Sequence, residues 1–166
     1  MNRTIFCISG LGADEQAFSR LCIKNHELKF LTWLKPLKNE TIAAYARRMA
    51  ELISEPSPII LGLSFGGMIA IEIAKQIEVE KIILISSIKT KDELPRWMRL
   101  TGKLKLHKIL PVKSNRLTER FDNAQLGVSN KEEKAMVKAY RQNADVEHVT
   151  RGIDQILNWQ NTFAHT

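Results

Sequence analysis

The sequence predicts an α/β fold: a parallel sheet flanked by helices, followed by a helical region. Three observations carry this prediction. Four short apolar runs of strand length recur between residues 4 and 85. Helical patterns fill the gaps between them. After Ser87 the alternation stops, and residues 92–158 read as helical throughout. Runs that are apolar on both faces suit a parallel sheet covered on both sides. Strand-helix alternation then implies right-handed crossovers.

The first run, Thr4-Ile5-Phe6-Cys7-Ile8, is ended by Ser9-Gly10. After Asp14, the residues Phe18, Leu21 and Cys22 recur at helical spacing. The second strand is expected over Leu28–Leu34, closed by Pro36. Ile42, Tyr45, Ala46, Met49 and Ile53 then follow a helical period, with Thr41 or Asn39 as N-cap. Ser57–Leu63 reads as the third strand. Phe65–Gln76 is apolar nearly all round, so it reads as a buried helix. Lys81–Ile85 is the fourth strand. Further on, Ser129-Asn130-Lys131-Glu132 has the form of a capping box. Asp145 fits the N-cap of a last helix in which Val146, Val149, Ile153, Ile156 and Leu157 share one face.

Composition fits one domain or part of a larger one: 166 residues, 44% hydrophobic and 26% charged. That balance argues against wholesale disorder. No apolar run approaches the roughly 18 residues needed to span a bilayer. The start is too short in apolar residues for a signal peptide, so the sequence reads as cytoplasmic. Two cysteines, Cys7 and Cys22, make no disulfide framework and read as buried free thiols. No Cys/His cluster has zinc spacing, and no metal or other cofactor is expected. The net charge of +7 resides in residues 89–120, which hold ten Lys/Arg and three Asp/Glu. The basic balance therefore belongs to one segment and is not a whole-protein field.

The chemistry concentrates at Gly62-Leu63-Ser64-Phe65-Gly66-Gly67, a G-x-S-x-G pattern. The pattern alone is common. Here a buried strand runs straight into Ser64 and a buried helix leaves straight after it. A serine in a strained strand-to-helix turn needs neighbours with almost no side chain, and Gly62 and Gly66 meet that need. Gly67 lets the helix pack close to the sheet. The helix N-terminus beside the serine favours developing negative charge. The loop Ser9-Gly10-Leu11-Gly12 offers a backbone N–H, that of Leu11 first, to pair with the N–H of Phe65 as an oxyanion hole. A phosphate-binding turn fits less well: no Lys follows, and no G-x-G-x-x-G occurs.

These residues resemble the α/β-hydrolase family. Gly62–Gly67 is similar to that family's nucleophile elbow. Ser9-Gly10-Leu11-Gly12 is similar to its His-Gly-x-Gly loop, with serine in place of histidine. The helical stretch 92–158 is similar to the cap that many members insert. The resemblance implies Ser64 as nucleophile and Leu11 and Phe65 as oxyanion donors. It also implies a division into a core over 1–88, a helical cap over 89–160 and a tail over 161–166 that leads to a further strand. The family's acid and histidine follow later strands. No strand candidate follows residue 88, and two more strand-helix units would need about 60 residues at ~30 each.

No residue in this sequence is assigned as acid or base. His26 precedes an edge strand, His107 lies in the basic segment, His148 is off the apolar stripe of the last helix, and His165 is in the tail. Each is expected to be solvent-exposed. Asp122 and Asp145 could orient a histidine, but Asp145 is more simply an N-cap. The fourth strand would expose an apolar edge, so a homo-oligomer or a covering partner chain is expected.

The basic, apolar stretch 94–110 reads first as a cap over an acyl pocket. It reads second as a membrane-surface segment, and third as a nucleic-acid binder. The expected function is a serine hydrolase acting on a small carboxylic ester or thioester through an acyl-enzyme on Ser64. The alternative is a catalytically incomplete fragment acting as a binding or assembly module. An acyltransferase on the same fold is a third, weaker reading.

Overall fold

The computed structural model of the chain describes residues 3–95, 98 and 130–161. Four parallel strands form one sheet: β1 (Arg3–Ile8), β2 (His26–Phe30), β3 (Ile59–Leu63) and β4 (Lys81–Ile85), in the order β2-β1-β3-β4. Among the described residues, four α-helices accompany them: α1 (Ile42–Ala50), α2 (Phe65–Ala74), α3 (Lys131–Asn143) and α4 (Val146–Asn158). This is the α/β architecture the alternation predicts.

Period-two burial explains how β1 and β3 sit at the centre. Phe6, Ile8 and Ile60 face one layer, where they meet Tyr45, Ala46 and Met49 of α1 and Ile69 and Ile73 of α2. Ile5, Cys7, Ile59 and Leu61 face the other layer, packed by Phe18. Helix α2 is buried over nine residues, Phe65–Ile73. Two glycines in its first turn each cost about 1 kcal/mol against alanine. Burial of its isoleucines, at about 1.5–3 kcal/mol per side chain, outweighs that cost.

Several boundaries differ from the sequence expectation. The segment after Asp14 forms only one 3-10 turn, Glu15–Phe18, with the Asp14 side chain accepting from the Gln16 N–H. Strand β2 begins at His26 and ends at Phe30. Leu31 still donates to the Cys7 carbonyl at 2.9 Å, but the chain then turns so that the Trp33 indole reaches Ser9. Strand β3 starts at Ile59 because Ser57 has φ of 47°, outside the strand region. Thr41, not Asn39, caps α1 by accepting from Ala44 N–H at 3.1 Å. The N-cap of α3 is Asn130, one residue later than the expected box, and it accepts from Glu133 N–H at 2.8 Å. Asp145 caps α4 as expected, accepting from Glu147 and His148.

Cys7 is buried, which pushes its thiol up to about 11. Cys22 is exposed, contrary to the expectation of two buried thiols, because no helix forms to carry it inward. The basic stretch 89–120 falls mostly outside the described residues, as do His107, Asp122 and His165. Among the described residues, no helix is long and apolar enough to cross a membrane.

Candidate functional site

Ser64 sits between the end of β3 and the first residue of α2 with φ 53° and ψ −118°. A non-glycine residue there is strained, and the strain must be held by its surroundings. Three hydrogen bonds hold it. The Ser64 N–H donates to the Ile85 carbonyl at the end of β4 (2.8 Å). The Ser64 carbonyl accepts from Gly67 N–H (3.0 Å) and from the Ser87 hydroxyl (2.6 Å). The side chain of Ser64 is left exposed while Phe65 beside it is buried.

The glycines around it are required by backbone approach. A Cβ on Gly62 would press on the Gly67 backbone, with Gly67 N at 2.5 Å. A Cβ on Gly66 would run into the carbonyl oxygens of Ile8 and Ser9. A Cβ on Gly67 would meet the Ser87 side chain at 2.6 Å and Leu84 at 2.9 Å. The elbow is thus wedged between the ends of β1 and β4.

The loop after β1 lies against the elbow. A Cβ on Gly10 would stand 3.6 Å from Ser64 Cβ. Gly10 closes a turn through Ala13 N–H to its carbonyl at 3.0 Å, and Gly12 takes φ of 75°. Ser9 is buried, and its hydroxyl donates to the Ala13 carbonyl (2.8 Å) and accepts from Trp33 Nε1 (2.9 Å). Serine at this position therefore ties the loop internally and to the segment after β2. Phe65 is the first residue of α2, where a backbone N–H has no intrahelical partner. The structure thus gathers Gly10, Leu11, Ser64, Phe65 and the three glycines at the C-terminal end of the sheet.

Helix α4 crosses above this loop. A Cβ on Gly152 would meet the Leu11 side chain, and a Cβ on Gly12 would meet Val149 at 3.4 Å and Ala144 at 3.5 Å. The inward face of α4 carries His148 and Gly152, both buried, with Ile156 packed on the core and Trp159 buried just beyond the helix end. The expected apolar stripe is offset from it, and Val146 is exposed.

His148 corrects the sequence expectation most clearly. It is 8% exposed, with its ring 4.9 Å from that of Trp33 and 6.2 Å from that of Tyr45. Burial lowers its pKa below the ordinary 6.5, against an opposing pull from Asp145. Among the described residues, neither its Nε2 nor the Tyr140 hydroxyl has a hydrogen-bond partner. Burial, reinforced by the charge of Asp14, raises the Tyr140 pKa. Trp33 also stacks on Phe65 at 5.6 Å, so an aromatic row runs from the elbow to α4. Neither Trp33 nor Tyr140 carries a functional reading from the sequence, where Trp33 falls in the second strand run and Tyr140 on the core-facing side of the helix behind the capping box. An indole among apolar residues and a tyrosine on a polar helix give no local sign of what they will face.

His26 opens β2, paired with Arg3 at the opposite end of the sheet from Ser64. Among the described residues, no three His, Cys, Asp or Glu side chains are grouped to hold a metal.

No family model and no curated protein matches this sequence. Solved structures do. MenH from S. aureus superposes with TM-score 0.69 at 16% identity, covering 93% of this chain and 66% of that one. The NocB thioesterase domain, solved as a covalent complex with a fluorophosphonate nocardicin G analog, gives 0.59 at 16% identity, covering 96% and 67%. An alpha/beta hydrolase fold protein from Burkholderia ambifaria gives 0.63 at 14% identity, covering 93% and 64%. The chain has the α/β-hydrolase fold, and it spans about two thirds of the length of these structures.

Proposed function

We propose that Ser64 is the nucleophile of a serine hydrolase acting on a small carboxylic ester or thioester. The observation that carries this reading is the strained backbone of Ser64, with an exposed side chain at a strand-to-helix turn. Strain of this kind persists only where the surroundings enforce it, and it clusters at reacting centres. The Ser64 hydroxyl attacks the carbonyl carbon, and the N–H groups of Leu11 and Phe65 bind the oxyanion. The alcohol or thiol leaves with a proton, and water then releases the acid from the acyl-enzyme. Residues 1–88 form the core in this reading, and the helices of 89–160 cover it. The similar thioesterase domain, trapped by a fluorophosphonate, supports this class of chemistry.

The reading assigns no acid and no base. His26 is at the far end of β2, His148 packs on Trp33 and Tyr45, and His107 and His165 lie outside the described residues.

The test is fluorophosphonate labelling of the 166-residue chain, with mass mapping and Ser64→Ala as control. Rapid single-site modification at Ser64 is expected, from a base in this chain or in a second copy. A folded sample that does not react overturns catalysis by these residues. It would favour the second reading, a binding or assembly module. That reading rests on β4, which ends the described sheet with Ile82–Ile85 only half-buried. A defined oligomer in sedimentation of the unreactive chain would mark it.

A further inference from the structure

We infer that Trp33 is a positioning residue for the reaction proposed at Ser64: its indole sets the spacing between the two segments that carry the Leu11 and Phe65 N–H groups. This role rests on that reaction and adds to it a residue from a third segment, the stretch after β2.

Two oxyanion donors must converge on one oxygen, each at about 2.7–3.1 Å. Here they come from separate elements, Leu11 from the loop after β1 and Phe65 from the first turn of α2. A misplacement of about 1 Å can cost about a hundredfold in rate. The spacing between the two segments therefore matters as much as the presence of the two groups.

Trp33 holds the loop by a polar bond. Gly10–Ala13 form a β-turn closed by the Ala13 N–H on the Gly10 carbonyl at 3.0 Å, with Gly12 third in the turn at φ 75°. Leu11 stands second, where the N–H takes no part in the turn's own bond. The Ser9 hydroxyl donates to the Ala13 carbonyl at 2.8 Å and so clasps the two ends of the turn. An indole nitrogen only donates, so Trp33 Nε1 gives its proton to Ser9 Oγ at 2.9 Å. The serine's own proton is thereby kept for Ala13. Ser9 is buried, so a lost partner there is not simply replaced by water.

The same indole holds the elbow by an apolar contact. It stacks on Phe65 with ring centroids 5.6 Å apart and 22° between the planes. Trp33 is itself fixed from two further helices. The rings of Tyr45 on α1 and His148 on α4 lie 6.2 Å and 4.9 Å from it. The Tyr45 hydroxyl also donates to the carbonyl of the next residue, Leu34, at 2.8 Å. One rigid side chain thus touches both donor-bearing segments, and it acts on the reaction through Ser9 and Phe65.

The experiment is saturation kinetics of fluorophosphonate modification at Ser64 in the full 166-residue chain, resolved into kinact and KI. Trp33→Phe keeps a ring against Phe65 and removes the donor. Ser9→Ala removes the acceptor and keeps every backbone N–H of the loop. Each is expected to lower kinact about tenfold and leave KI within about twofold, because an oxyanion hole acts on the charge that develops and not on the encounter. The pair should be no more than about twofold slower than the slower single variant, since both cut the same bond.

Folded variants with unchanged kinact overturn the assignment, whatever they lose in urea midpoint, because a purely structural role gives that result. Losses that multiply in the pair overturn it, and so does a rise in KI at constant kinact. A measurement on the unaltered, ¹⁵N-labelled chain needs no variant to fold. The Trp33 indole N–H resonance is expected to move when Ser64 is phosphonylated, and a resonance that stays in place overturns the assignment. An unaltered chain that does not react overturns the hydrolase reading and this role with it. A reactive chain whose variants react equally fast overturns this role alone.

Discussion

Gly66 has no room for a side chain, because the carbonyl oxygens of Ile8 and Ser9 occupy the place where a Cβ would go. Gly66→Ala must therefore push the elbow away from β1. A loss of about 1–3 kcal/mol is expected, read as a shift in the urea midpoint, together with slower modification of Ser64. Small residues at this spacing were legible in the sequence, because a tight strand-to-helix turn dictates them locally. His148 was not legible. Its burial arises when α4 docks, and nothing within a few residues of it encodes that contact. Its lowered pKa gives a signed prediction. Above pH 6.5 the imidazole is neutral in both folded and unfolded chains and adds no pH dependence. As pH falls through 6.5 the unfolded chain binds a proton that the folded chain refuses. Stability then declines, by at most about 1.4 kcal/mol per pH unit, until the folded-state value is reached. The melting temperature of the unaltered protein should drop more between about pH 7.5 and about pH 5 than that of His148→Phe. Parallel drops would show that other groups govern the acid side.

Among the elements, β1, β3, α1 and α2 were the most legible, since their burial periods are strong and uninterrupted. Strand β2 and the region before it were less so. A 3-10 turn stands where a helix was expected, and the pull of Trp33 toward Ser9 follows the end of the strand. Helix α4 was legible in extent but not in orientation. Its inward face is set by the close approach of Leu11 to Gly152 and by Trp159. The Trp159 indole donates to Glu72 Oε1 at 2.8 Å, and Lys75 pairs with the same carboxylate. Glu72 is a buried acid on an otherwise apolar helix, so this bond anchors the end of α4 to α2. Trp159→Phe removes the donor and leaves the acid short of a partner. A loss of about 1–3 kcal/mol is expected in denaturant unfolding. A loss near zero would mean that α4 is held by its apolar contacts alone.

At the scale of the molecule, the sheet order β2-β1-β3-β4 brings the turn after β1 beside the turn after β3. A parallel sheet sends both turns to one end, which is why a loop near residue 10 and a serine at 64 meet. That much followed from the alternation of runs in the sequence. The cavity between the β1 loop, the segment after β2 and helices α3 and α4 did not. It is made by three stretches distant in the chain, 12–14, 33–36 and 140–148, and exists only once they close on each other.

The bond from Trp159 to Glu72 spans 87 positions along the chain. During synthesis at about 5–20 residues per second, the acid therefore waits roughly 4–17 s for the indole that will cover it. Until then Lys75, three residues on, is the partner already synthesised for that carboxylate. Glu72 keeps one polar spot on a helix that would otherwise be entirely greasy while it waits. The residue that ties α2 to the end of α4 is thus covered only after the last helix has been made.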